Sequence, residues 1–359
     1  MILARYLLIQ LVGPFAFGLS LFSGVLLLDK VFEVIDLLIN RGVSFAMSVR
    51  IFALFFPTVL SLSVPMSILL AALLVFGRLS EDHEITALRA SGLSFNQIMW
   101  PPMLGAFLLC LILIPFNTVW APRSVAAFRT IYHEIANKDP LVKIEPGQFI
   151  PLRNIRLYAE KVDRDNNALT NVWIYRREDD RAQRIFAKSG VARADARQFT
   201  LNLKDGQIER FSGDQPQDVV HIRFKHYNLQ VPLSETTDAH NTTWRELTTP
   251  QLNAEIRRRI KENIPAGEVL AEYHLRYAIA FAPLALGLLG ISLGMTLERG
   301  GRGVGFGAAA GVLFVYYLLL IMGLSLAQKD AFPALPSLWA ANAVCFAAGA
   351  YLYRRRTAT

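Results

Sequence analysis

The sequence predicts a membrane α-helical fold: six transmembrane helices, with an all-β domain of jelly-roll or sandwich type inserted after the third. Three observations predict it. Only 18% of the 359 residues are charged and the mean hydropathy is +0.33, whereas soluble domains carry about a quarter charged residues. Five runs, 51–76, 98–120, 278–297, 304–328 and 331–353, contain no Asp, Glu, Lys or Arg, and each reaches the ~20 residues that cross a bilayer. Residues 122–270 are polar and carry strand and turn signals instead.

A sixth span comes first in the chain. Its apolar run, 6–28, continues into a charged extension, so a helix from Ala4 to Ile39 would be ~50 Å long against a hydrocarbon layer of ~30 Å. Its far end carries Asp29, Lys30, Glu33 and Asp36, with the three acids at i, i+4 and i+7. They form either a solvated tip or a charged rim beside a cavity. The second run holds Pro57 and Pro65, which predicts a kinked helix.

Arg78 to Ser94 is the one polar interruption between the second and third runs. It reads as a short surface helix over 80–92. Ser80 is placed to cap it, Glu81, Asp82 and Glu84 put negative charge at its positive end, and Gly92 supplies a left-handed stop. Ile85 and Leu88 share one face, edged by the carboxylates of Glu81 and Glu84, a patch suited to docking on another protein.

The third span has Trp100 and Trp120 near its ends and extends as a helix through 123–137. Strand signals follow: Ile155–Ala159 alternates, Asp165-Asn-Asn167 turns, and Val172–Tyr175 returns. Phe199–Leu203 and Ile208 read as a hairpin around Asp205-Gly206, and 219–231 adds a strand. After a polar linker, 234–243, Pro250 opens an amphipathic helix with Leu252, Ile256 and Ile260 on one face. Pro265-Ala-Gly267 breaks it, and a long helix from Glu268 to Glu298 contains the fourth span. The expected divisions are 1–121, with the short helix 80–92; 122–270, the β domain with flanking helices; and 271–359.

Lysine and arginine in short loops orient the chain. Eight lie on the side of the N-terminus and four on the other, which predicts cytoplasmic termini and a periplasmic β domain. The N-terminal run is too long for a signal peptide and lacks a small-residue cleavage site. The net charge of +8 is scattered, which gives no nucleic-acid footprint. Cys110 and Cys345 fall inside apolar runs as packing residues.

Catalytic motifs are missing. The sequence has no Walker loop, no His-Glu-x-x-His and no Cys-x-x-Cys, and no cofactor is expected. Gly300–Gly307 resembles a phosphate loop, but no strand precedes it. Gly303, Gly307 and Gly311, like Gly290 and Gly294, repeat at the four-residue spacing of close helix packing. Spans without charge argue against proton coupling or intramembrane catalysis. A structural protein, or a lipid transporter energised from elsewhere, remains. Two alternatives stand beside the transporter: a membrane-anchored periplasmic binding or assembly protein without an ATPase partner, and a lipid-modifying enzyme using His133 with Glu134 or His274 with Glu272.

The span layout and the segment Ser80-Glu-Asp-His-Glu-Ile-Thr-Ala-Leu-Arg-Ala-Ser-Gly92 resemble the lipopolysaccharide export permease family, LptF/LptG. The segment from Ala136-Asn137 through Pro146-Gly-Gln-Phe149 resembles the F-type subunit more. The resemblance implies a periplasmic jelly roll, a paralogous LptG-like partner, and a cytoplasmic ATPase dimer, LptB, that binds ATP and engages the helix over 80–92. It also implies the bridge proteins LptC and LptA. Within that helix Glu84 matches the ATPase-coupling glutamate, and Glu81, Ile85, Leu88 and Arg89 complete the coupling set. Lys30 matches a basic position on the path of the lipid phosphates; Glu33 stands where a basic residue is more familiar. With Arg276 these form the candidate substrate-binding set.

Overall fold

The computed structural model describes residues 2–39, 44–138, 146–152, 155–163, 167–178, 181–195, 198–211, 219–232, 244–296 and 301–358. The chain divides into two compact units, Met1–Ala127 with Thr243–Thr359, and Phe128–Thr242. The linker over 234–243 and the turn residues Asp165 and Asn166 lie outside the described residues.

Among the described residues six helices are long and apolar enough to cross a membrane. They are α1 (Ile2–Ile39), α2 (Phe45–Glu81), α4 (Phe95–Pro115) continued by α5 (Ala121–Lys138), α7 (Gly267–Gly294), α8 (Gly301–Gln328) and α9 (Ala334–Ala358). Two short helices, α3 (Glu84–Ala90) and α6 (Thr249–Lys261), lie outside the spans. Between α4 and α5 the chain makes a π-turn over Phe116–Trp120, so the extension expected beyond the third span is present with one local change of winding.

The centre of the bundle is α2 against α7. In their most apolar windows 72% and 78% of residues are buried, against 22% for α1 and 28% for α8. Glycine makes this approach possible. A Cβ at Gly290 would stand 2.9 Å from the Ala72 Cβ and 3.0 Å from the Leu69 carbonyl, and one at Gly294 would stand 3.0 Å from the Phe76 Cβ. By contrast a Cβ at Gly303, Gly307 or Gly311 would meet nothing within 4 Å. That repeat serves no packing within the described chain.

Uncharged polar groups cross-link the interior, which is therefore less uniformly apolar than the runs suggest. Ser23 donates to Ser63 at 2.9 Å, Tyr316 to the Asn342 Oδ1 at 3.0 Å, and Asn342 to the Ala278 carbonyl at 2.8 Å. A buried donor without a partner is costly where no water reaches, so these residues come in bonded sets.

Helix α6 starts with a capping box, in which Thr248 and Gln251 satisfy each other's backbone. Leu252 and Ile256 pack against Val269. Ile260, expected on the same face, is 61% exposed, one residue before the helix ends.

The β unit is one antiparallel sheet of six strands in chain order: β1 (Phe149–Leu152), β2 (Ile155–Asp163), β3 (Ala168–Glu178), β4 (Arg181–Asp195), β5 (Gln198–Phe211) and β6 (Val219–Pro232). The described pairings form a meander without a jelly-roll crossover. The hairpin expected at Asp205-Gly206 is absent, since β5 runs straight through it. The register continues on both sides, yet Glu160, Asn171, Lys188, Asp205 and Lys225 have no partner in it, and they lie in one row across β2 to β6. Asn171 and Asp205 hold φ of 48° and 53°, which Asn and Asp tolerate better than other side chains. The row is a fold line. Bending the meander along it encloses one cluster from both halves, including Leu157, Leu169, Ile185 and Leu201. At Gly206, beside the line, a Cβ would collide with the Phe186 carbonyl.

Candidate functional site

The polar interruption between the second and third spans folds as an elbow. Ser80 does not cap α3. It lies in the last turn of α2, which runs on to Glu81 because Val75, Phe76 and Leu79 are buried, and its hydroxyl donates to the Met295 carbonyl at the end of α7, 3.1 Å away. Arg356 of α9 donates to the same carbonyl at 2.9 Å. The turn itself falls on His83, whose φ of 56° is left-handed. Its N–H bonds to the Ser80 carbonyl at 3.1 Å, and its own carbonyl accepts from Ala87 at 3.0 Å. Two residues, Asp82 and His83, thus separate α2 from α3, and α3 is only seven residues long.

The far end of α3 closes as the sequence indicates, at Gly92 with φ 92°. The Gly92 N–H bonds to the Arg89 carbonyl at 2.9 Å and that of Leu93 to the Leu88 carbonyl at 3.2 Å, the paired pattern of a Schellman cap. Then Ser94 and Gln97 form a reciprocal capping box that starts α4. Every connection of α3 to its neighbours is therefore hydrogen-bonded and short.

Ile85 is buried with Leu7, Phe76, Leu79, Phe95 and Ile98, and Leu88 packs on the same cluster. The apolar pair read as a docking patch faces the chain's own core. What the elbow exposes is Glu81, Asp82 and His83 before α3 and Thr86, Ala87, Arg89 and Ala90 within it, with Glu84 half-buried. The Glu84 carboxylate accepts from the Tyr6 hydroxyl at 2.8 Å. The Arg89 guanidinium lies 4.2 Å over the Phe95 ring, and Arg78 bonds the Gln10 side chain. Tyr6 and Gln10 were not expected here; both stand in the first apolar run, one helical turn apart, and only packing of α1 beside α2 brings them to the elbow.

The candidate substrate residues lie elsewhere and apart. Lys30 pairs with Asp29 at 3.2 Å and sits 5.2 Å over the Phe55 ring of α2. Glu33 lies in α1, and its side chain is outside the described residues, as are those of His133 and Glu134. Arg276 is 5% exposed. Its guanidinium donates to Glu272 at 2.9 Å, Leu247 O at 2.7 Å, Trp244 O at 3.0 Å and Arg245 O at 3.4 Å. These bonds commit both Arg276 and Glu272 to the chain itself.

Beside Arg276 is a cavity of about 330 Å³ between α2, the π-turn, α5, α7 and α8. Leu62, Leu275, Ile279 and Leu320 line it, and Asn117 and Arg276 are among its polar lining residues, with Ser61 and Glu272. Asn117 was also missed. Its signal was an amide inside a charge-free run.

The family described as Lipopolysaccharide export system permease LptF/LptG matches the sequence over residues 5–355, nearly the whole chain. No curated protein matches it.

Proposed function

Because the chain belongs to the LptF/LptG family of lipopolysaccharide export permeases, and so to the multi-pass proteins of the inner membrane, we propose that it is the subunit half of an exporter driven by a separate ATPase at α3. The observation that carries this reading is the elbow. A force applied to the exposed Glu81, Asp82, Thr86 and Arg89 is not lost in a loop, since α3 is tied to α2 through His83 and seated by Ile85 in the core that α1, α2, α4 and α7 share. Motion of α3 is then motion of α2 at the centre of the bundle.

The cytoplasmic face is the one carrying α3 and both termini, as the excess of Lys and Arg there favours. On that assignment the partner at α3 is the ATPase dimer, LptB, which binds the ATP; this chain hydrolyses nothing. The sparsely buried α1 and α8, with the uncovered Gly307 and Gly311, fit a second permease subunit completing an amphipathic cavity for the lipid. The β unit, on the periplasmic side, passes lipid to the bridge proteins.

The test is recovery of partners with the tagged chain at native expression. An ATPase and a second six-span protein should accompany the wild type, and Glu84→Lys should lose the ATPase and export while still inserting. Tyr6→Phe removes the internal bond to Glu84 and leaves the carboxylate in place, so it should retain both. Equal loss in Tyr6→Phe would make Glu84 a packing residue and sink the coupling assignment.

A further inference from the structure

At the end of the bundle opposite α3, the chain leaves for the β unit through the π-turn and α5, and returns through Trp244–Thr249. One knot of side chains holds both passages. The Ser61 hydroxyl, on α2, donates to the Asn117 Oδ1 at 2.6 Å. The Asn117 Nδ2 donates to the Arg276 carbonyl of α7 at 3.2 Å. The Arg276 guanidinium holds the returning chain at the Trp244, Arg245 and Leu247 carbonyls. Finally, the Thr249 hydroxyl donates to the Thr118 carbonyl at 3.4 Å, which ties the returning chain to the departing one. Ser61, Asn117, Thr118, Thr249 and Arg276 are all buried.

The backbone ladder is interrupted at the same level. Pro65 has no N–H for the Ser61 carbonyl, so α2 lacks one bond of its ladder there. The departing helix widens to its π-turn at Phe116–Trp120, where one extra residue in the winding turns Asn117 and Thr118 inward. Single π-turns recur at functional sites because the extra residue interrupts the regular ladder. Two helices whose ladders are interrupted where they meet are bridged by side chains at that point. Rigid anchorage alone calls for apolar packing, which needs no buried guanidinium; a satisfied polar network instead selects one arrangement of its parts.

We infer that Asn117 and Arg276 are positioning residues of a transmission joint, which carries displacement of α2 into both chain passages of the β unit so that they move together. The inference rests on the proposed drive at α3. From Glu81 to Ser61 is one continuous helix, ~30 Å long, with the drive at one end and the joint at the other.

The experiment uses the complex purified with the full chain, in lipid nanodiscs containing lipopolysaccharide. It measures ATP hydrolysis, lipid released per ATP, and ATP-dependent deuterium uptake over 116–121 and 244–249. Asn117→Leu keeps the branched shape and the number of heavy atoms and removes both bonds of the amide. It should hydrolyse ATP as the wild type does and release about fivefold less lipid per ATP, or lower still, as expected for loss of a coupling free energy of ordinary size. Ser61→Ala removes one bond only, should fall between, and serves alone if Asn117→Leu does not fold. In the wild type both segments should respond to ATP together, and in the variants separately. A purely structural role would lower hydrolysis and release in proportion, and an unchanged ratio of lipid to ATP overturns the joint. If no ATPase accompanies the wild type, the drive at α3 fails first and the joint with it; a coupled wild type beside an equally coupled variant refutes the joint alone.

Discussion

The two glycine repeats have the same sequence spacing and opposite surroundings, so alanine should move stability in opposite directions. At Gly307 or Gly311 a Cβ meets nothing within 4 Å, and alanine adds only its helix preference, about 0.8–1.0 kcal/mol of stabilisation. At Gly290 the same gain is set against a methyl 2.9 Å from the Ala72 Cβ and 3.0 Å from a backbone oxygen, where carbon contacts prefer ~3.5–4.0 Å. Helices α2 and α7 must separate by about half an ångström or more, and overpacking of this kind costs about 1–3 kcal/mol. Gly290→Ala and Gly294→Ala should therefore lie about 1–3 kcal/mol below Gly307→Ala and Gly311→Ala. Thermal unfolding of the isolated subunit in detergent measures the difference. Domains of 150–250 residues shift by about 2–4 °C per kcal/mol, so a separation of several degrees is expected. If Gly290→Ala melts with Gly307→Ala, the close approach of α2 and α7 is wrong. In the assembled exporter the order should reverse in one respect: if a second subunit covers α8, Gly307→Ala and Gly311→Ala should weaken its recovery.

Two further predictions address the elbow and the β unit. Ile85→Ala leaves a cavity at a buried site and should weaken the seating of α3 by about 2–5 kcal/mol. Deuterium uptake over 84–90 should rise and export should fall with partner recovery intact; unchanged protection would show that His83 and the caps suffice to hold α3. Gly206→Ala places a methyl against backbone rather than a movable side chain, so its cost should reach about 3 kcal/mol, the upper end for overpacking. New protease sites within 128–242 in the full-length protein are the expected readout, and a wild-type digestion pattern would refute the fold line at Asp205.

Much of the architecture follows from local patterns. The number of spans is set by runs of residues that cannot leave lipid, and the stop of α3 by a glycine able to turn left-handed; both are properties of a few consecutive residues. The same holds for the strands, whose alternation marks where extended chain lies, although the pattern at Asp205-Gly206 fits a tight turn and a mid-strand bend equally well. There the tertiary structure decides, because the row from Glu160 to Lys225 must bend as a unit for the meander to cover its own apolar face. At the elbow Ser80 carries a cap signal, and burial of Phe76 and Leu79 overrides it by carrying α2 one turn further. Ile85 and Leu88 are legible as an apolar pair, but only the packing of α1 and α4 determines that the pair faces inward and leaves Glu81 and Asp82 exposed. The joint was the least legible of all. Ser61, Asn117 and Arg276 are far apart in sequence, Arg276 reads there as a substrate residue, and their joint meaning comes only from the packing that bonds three helices through them in a membrane interior where unpaired polar groups are costly.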